Sequence, residues 1–163
     1  MALDFSYDED GPMNLPNFRE STILVVDDSV MMRVLMTRLL KQTGFANILE
    51  AENGQIGLDV LHSHQVDLVL LDIQMPVMDG YKTLELIKAD PELKDVSVIM
   101  VTAVELIESV ARCIEMGADD YMPKLFNSIL LTAKIESSLE LRYLRRLIQE
   151  RERGESEGCV RMP

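Results

Sequence analysis

A chain of 163 residues is long enough for one ordinary domain with tails and short for two. With 47% hydrophobic and 27% charged residues it has the mixture of a soluble globular protein, and apolar runs such as Leu68-Val69-Leu70-Leu71 fall far short of a bilayer span. A formal net charge of −12 sets this chain against non-specific nucleic-acid binding.

Residues 1–20 carry Gly11, Pro12, Pro16 and several acids without apolar periodicity, and read as a flexible acidic arm. Asp4, Asp8, Glu9 and Asp10 stand where a secretory signal would carry positive charge, so a cytoplasmic location is expected, with no membrane partner. From Thr22 the texture changes. A strand is predicted over 22–26, ending at Asp27-Asp28, and Ser29 is a good N-cap for a helix over 29–42 that Gly44 closes. A strand over 47–51 and a helix over 55–64 follow. The next strand, 67–72, ends at Asp72; Pro76 and Asp79-Gly80 make a turn, and a helix over 81–89 stops at Asp90-Pro91. A strand over 96–102 ends at Thr102, and a helix over 106–116 closes at Gly117. A short strand over 120–122 leads to Lys124, and Asn127 caps a last helix.

The central strands are continuous apolar runs, 68–71 and 98–101, as expected when helices cover both faces of a parallel sheet. Five alternating βα units then imply an α/β doubly wound sheet with right-handed crossovers. Met31, Met32, Met36, Met100 and Met116 read as core filling. His62 and His64, two apart, do not share a helix face and make no metal pair. Cys113 and Cys159 lie in unlike contexts and are expected to be reduced.

The last helix runs past the domain. Leu141, Leu144 and Ile148 make a narrow stripe of about two heptads, short for a coiled coil. Residues 137–153 are therefore either a fraying extension or a linking or dimerising segment. Glu140, Glu150 and Glu152 interleave with the arginines of 142–153, which read as a solvated face. Residues 154–163 read as a disordered tail.

In a doubly wound sheet, chemistry sits outside the carboxyl ends of the strands. There Asp27, Asp28, Asp72, Thr102 and Lys124 converge. Three clustered carboxylates repel unless a proton or cation neutralises them, and oxygen-only ligands suit a hard ion such as Mg²⁺. A carboxylate beside Mg²⁺ can attack a phosphoryl group to give an acyl phosphate. The three equatorial oxygens of that group need neutralising partners, which the ion, the Lys124 ammonium and the Thr102 hydroxyl could supply.

Four stretches carry a resemblance. These are Val25-Val26-Asp27-Asp28-Ser29, Asp72-Ile73-Gln74-Met75-Pro76-Val77-Met78-Asp79-Gly80, Val101-Thr102-Ala103 and Gly117-Ala118-Asp119-Asp120-Tyr121-Met122-Pro123-Lys124. In this order they resemble the receiver domain of two-component response regulators, over residues 21–136. The resemblance implies a flavodoxin-like sheet of order 2-1-3-4-5 and Asp72 as phosphoacceptor. It implies Mg²⁺ on the Asp28 and Asp72 side chains and the Gln74 backbone carbonyl, with Asp27 acting partly through water. Thr102 would rotate toward the phosphoryl group and Tyr121 would turn inward, switching a surface made of the fourth helix, fifth strand and fifth helix. The implied partners are a sensor histidine kinase or phosphotransfer protein and an output domain or effector. A homodimer through that surface or the last helix is also implied. Val104 flanks the site.

One residue departs from the family. Leu125 follows Lys124 where proline, often after a cis bond, is usual, and a cis bond before leucine would cost about 3–4 kcal/mol. A pseudo-receiver that only binds partners is the alternative this leaves open. Two others are weaker. A haloacid-dehalogenase-type phosphatase wants an acid where Gln74 stands. A flavodoxin-like electron carrier would set its phosphate against Asp27-Asp28.

Overall fold

Five strands pair in parallel in the order β2-β1-β3-β4-β5: β1 (Thr22–Val26), β2 (Asn47–Ala51), β3 (Leu68–Asp72), β4 (Ser97–Thr102) and β5 (Asp120–Pro123). The helices α1 (Val30–Gln42), α2 (Gly54–Ser63), α3 (Gly80–Ala89), α4 (Ile107–Glu115) and α5 (Ser128–Cys159) connect and follow them. This computed structural model describes residues 15–103, 107–124 and 127–159. It is the doubly wound, flavodoxin-like architecture expected. No helix among the described residues is long and apolar enough to cross a membrane.

Alternation along the strands divides the core in two. Leu24, Val26, Val69, Leu71, Val98 and Met100 face α2 and α3, where Leu58, Leu61, Leu84 and Ile87 meet them. Ile23, Val25, Leu68, Leu70, Ile99 and Val101 face the other way, onto Met36 and Leu40 of α1 and Leu131, Ile135 and Leu139 of α5. β3 and β4 are buried along their whole length, which is why their sequences are unbroken apolar runs. Each such Leu or Ile contributes roughly 1.5–3 kcal/mol by leaving water.

Side chains start the helices. Ser29 Oγ accepts from Met32 N at 3.3 Å and Asn127 Oδ1 from Leu130 N at 2.8 Å, as expected. Asn53 and Asp79 cap α2 and α3 in the same way, at 2.9 and 2.8 Å. Gly44 and Gly117 both close their helices at φ +100°, a region costly for residues with a Cβ.

Four expectations need correction. Order begins before residue 21: a 3₁₀ turn over Phe18–Glu20 is capped by Asn17, Arg19 pairs with Glu136 at 2.8 Å, and its guanidinium sits 4.6 Å above the Phe45 ring. Met31 is 80% exposed rather than core filling, because it lies on the outer face of α1. Residues 154–159, read above as part of the tail, continue α5 to Cys159; each helical glycine there costs only about 1 kcal/mol. Finally, Arg142 and Arg145 are not simply solvated. Arg142 Nη1 is 2.7 Å from Asp67 Oδ1 and its Nε donates to the Asp95 carbonyl at 3.0 Å, while Arg145 Nη1 is 3.2 Å from Asp119 Oδ1.

Candidate functional site

The carboxyl edge of the sheet carries the site. Asp27 follows the last residue of β1, Asp72 ends β3, Thr102 ends β4 and Lys124 follows β5. Parallel register sets them side by side: Val26 lies opposite Leu71, Asp72 opposite Val101, and Thr102 opposite Pro123. Residues almost a hundred positions apart thus meet because every strand ends at the same level.

Asp27 and Asp72 are buried, and the Lys124 ammonium reaches both, 3.0 Å from Asp72 Oδ2 and 3.2 Å from Asp27 Oδ2. Lys124 is held from behind by its own N–H, which donates to the Thr102 carbonyl at 2.9 Å. Asp28, exposed at the rim, brings a carboxylate oxygen into the group; one oxygen from each of Asp27, Asp28 and Asp72 lies within 4.8 Å of the others. The backbone around Asp27 is pinned as well. Its N–H donates to the Ala51 carbonyl at 3.1 Å, its carbonyl accepts from Arg33 Nη1 at 2.6 Å, and its Oδ1 accepts from Ser29 N at 2.8 Å.

The loop after Asp72 folds back sharply. Gly80 N–H donates to the Ile73 carbonyl at 2.7 Å, and a Cβ on Gly80 would lie 2.1 Å from the Asp72 carbonyl oxygen. No side chain fits there. Val77 has φ +71°, and the Met78 N–H to Pro76 carbonyl bond at 2.8 Å closes a γ-turn around it. A β-branched residue is strained in this region.

Burial pushes the Asp72 carboxyl above the ordinary carboxylate range; the Lys124 hydrogen bond and the Gln74 N–H oppose that rise, and the Asp27 charge adds to it. For Lys124, burial acts to lower the ammonium, yet the hydrogen bond to Asp72 and the charges of Asp72 and Asp27 outweigh it and the net direction is upward. The notch therefore holds more negative charge than one lysine neutralises. Asp27 Oδ2 is buried and, among the described residues, has no aligned hydrogen bond despite the nearby ammonium. Three oxygen donors with an unsatisfied buried atom fit a hard divalent cation such as Mg²⁺.

Of the remaining expected residues, Gln74 lies exposed at the rim, two residues past Asp72, and Thr102 is buried beside it on β4. Tyr121, half-buried on β5, packs its side chain against the α2–α3 half of the core. Val104 and Leu125 lie outside the described residues, and with them the Lys124–Leu125 peptide. An open hollow beside the notch is lined by Asp28, Gln74, Met75, Asp79, Tyr81 and Arg112, and there Arg112 stacks 3.8 Å above the Tyr81 ring. Arg33 and Arg112 also border the site. Neither sits in a motif, and only the fold brings them to the site. His62, excluded above as a metal ligand, instead meets Asp90 Oδ2 at 2.9 Å.

The fold and the lysine-bridged acidic notch define a doubly wound domain equipped to neutralise an oxyanion at a buried carboxylate. Residues 23–136 match the family model described as the response regulator receiver domain, and the chain belongs to that family. It is 37% identical over 118 residues to the chemotaxis protein CheY of Pseudomonas aeruginosa, covering 72% of this chain and 95% of that protein. It is 35% identical over 126 residues to a probable transcriptional regulator of Cyanidium caldarium, covering 77% of this chain but only 49% of that protein. Among solved structures, NtrX from Brucella abortus superposes with a TM-score of 0.74 at 29% identity, over 80% of this chain and 29% of that one.

Proposed function

We propose that this receiver accepts a phosphoryl group on Asp72 from the phosphohistidine of a partner kinase or phosphotransfer protein, and that the modification switches its α4-β5-α5 surface. The observation that carries the reading is the buried Asp72 carboxylate, 3.0 Å from Lys124 and clustered with Asp27 and Asp28. An Asp72 Oδ attacks phosphorus as the phosphohistidine nitrogen leaves, so one P–N bond breaks and one acyl P–O bond forms. Lys124 and the Thr102 hydroxyl neutralise two of the three equatorial oxygens. Asp27, Asp28, Asp72 and the Gln74 carbonyl would hold Mg²⁺, which supplies the remaining positive charge when bound. Thr102 moving toward the new phosphoryl group, with Tyr121 turning inward, is the local event that biases a two-state surface.

Residues 21–136 form the receiver unit in this reading, and residues 137–153 carry its output toward a further domain or an effector. The reading places the chain in the cytoplasm and assigns it no nucleic-acid contact. It is a signalling switch, with water slowly hydrolysing the acyl phosphate, rather than a turnover enzyme. The alternative is a pseudo-receiver that binds partners without modification, favoured by Leu125 after Lys124. Intact mass spectrometry after incubation with acetyl phosphate and Mg²⁺ separates the two. The proposal expects a gain of one phosphoryl group, absent in Asp72→Asn; an unchanged wild-type mass under conditions that modify a control receiver favours the pseudo-receiver.

A further inference from the structure

A second charged hollow lies at the other end of the sheet from Asp72. It opens beside Val96 and Asp119, just before β4 and β5 begin, and residues 142–149 of α5 border it. Its volume is about 110 Å³. Pockets for drug-sized molecules start at about 300 Å³, and a water takes up roughly 30 Å³ of liquid, so this one suits one or two phosphate groups. Five cations border it, Lys88, Lys94, Arg142, Arg145 and Arg146, against the carboxylates of Asp95 and Asp119. In a chain of net charge −12 that is a local reversal of sign, and a Debye length of about 10 Å in 0.1 M salt screens the distant acids.

These cations are only partly paired. Arg142 and Arg145 each give Nη1 to a carboxylate, of Asp67 and Asp119. Lys94 and Arg146 are exposed and form no ion pair among the described residues. Lys88 is half-buried, its stem set against Gly117, and its ammonium donates to the Lys94 and Val96 carbonyls at 3.2 and 3.1 Å. Its ion pair with Asp119 Oδ2 is long, at 3.8 Å, and that oxygen already accepts from Val98 N at 2.7 Å. Burial pushes the Lys88 ammonium below the ordinary lysine value, and the Asp119 charge only partly opposes it. An anion in the hollow would relieve this ammonium and the two unpaired cations together.

We propose that the hollow binds a diphosphate group, either as a free anion or at the end of a larger molecule. The guanidinium forks of Arg145 and Arg146 match phosphate oxygens, and Lys88 and Lys94 act as point charges. Bound there, the anion ties the extension of α5 to α3 and to the loop before β4. It does not compete with chemistry at Asp72, which lies at the opposite edge of the sheet.

Isothermal titration calorimetry of the full chain with pyrophosphate, in the presence of a chelator, tests this. The expected result is one site with a Kd on the order of 100 µM that weakens as salt rises. Arg146→Gln should weaken binding roughly tenfold and Lys94→Gln roughly threefold. Pyrophosphate should also slow amide hydrogen exchange over residues 142–149. ADP binding within about threefold of pyrophosphate points to a diphosphate carried on a larger molecule, and ADP binding roughly tenfold weaker points to the free anion. No binding at about 5 mM pyrophosphate, an affinity unchanged by the two substitutions together, or exchange slowed only at residues 72–80 would each overturn the proposal. Sulfate or a tetraglutamate peptide binding as tightly as pyrophosphate would do the same.

Discussion

The Lys124 ammonium lies 3.0 Å from Asp72 Oδ2, joining a residue just past the edge strand to one at the end of the central strand. It also lies 3.2 Å from Asp27 Oδ2, so one cation spans two buried carboxylates. Lys124→Gln removes that cation while keeping a polar side chain of similar reach. Phosphorylation by acetyl phosphate should slow by roughly tenfold or more, because a positioned charge is lost where the transferred group gathers its own. Mg²⁺ affinity should persist, since all three carboxylates remain. Timed intact-mass measurements and a Mg²⁺ titration check the two halves separately.

Asp72 is held at a cost. Its carboxyl is raised above the ordinary range, chiefly by burial, so the stability it contributes is full below the unfolded value of 3.8 and is lost as pH rises through the folded value. At neutral pH and without divalent cations, Asp72→Asn should therefore stabilise the fold, by about 1 kcal/mol. Added Mg²⁺ should raise the wild-type urea midpoint and leave that of the variant nearly unchanged. Urea melts with chelator and with Mg²⁺ make the comparison.

Val77 occupies φ +71° on a loop that a glycine would tolerate without strain. Val77→Gly should stabilise the protein by up to about 1 kcal/mol, the relief of the Cβ clash exceeding the added chain entropy of glycine. A lower urea midpoint for the variant would show that the loop is not strained there.

His62 and Asp90 titrate as a pair on the surface. The hydrogen bond to Asp90 raises the His62 imidazole above its usual 6.5, against the opposing effect of burial, and the same bond lowers Asp90 below 3.8. The imidazolium contribution is present below 6.5 and lost as pH rises through the folded value; the carboxylate contribution is present above 3.8 and lost as pH falls through its folded value. NMR titration of the His62 ring should give a midpoint above 6.5 that returns toward it in Asp90→Asn.

Where the sequence was legible, one residue type answered one local demand. The apolar runs of β3 and β4 announced strands buried on both faces, and Ser29 and Asn127 announced helix starts through their own hydrogen bonds. Asp27, Asp28, Asp72, Thr102 and Lys124 were readable as one site because parallel strands end together. What escaped depended on partners distant in sequence. Arg142 reads as solvated until Asp67, 75 residues away, is placed beneath it. Arg33 is an ordinary helical arginine until the Asp27 carbonyl is seen 2.6 Å away. Met31 carries the same side chain as Met36, and only the helix phase separates 80% exposure from 1%. Gly80 was read as a turn residue, but its deeper constraint is the Asp72 carbonyl beneath it.

Chemical trapping reports directly on the Asp72 carboxylate. Borohydride reduces an acyl phosphate to an alcohol, so a phosphorylated aspartate becomes homoserine at its own position. After treatment with acetyl phosphate and Mg²⁺ followed by borohydride, peptide sequencing by mass spectrometry should find homoserine at position 72 alone. Homoserine at another aspartate, or at none while a control receiver is trapped, would contradict the account.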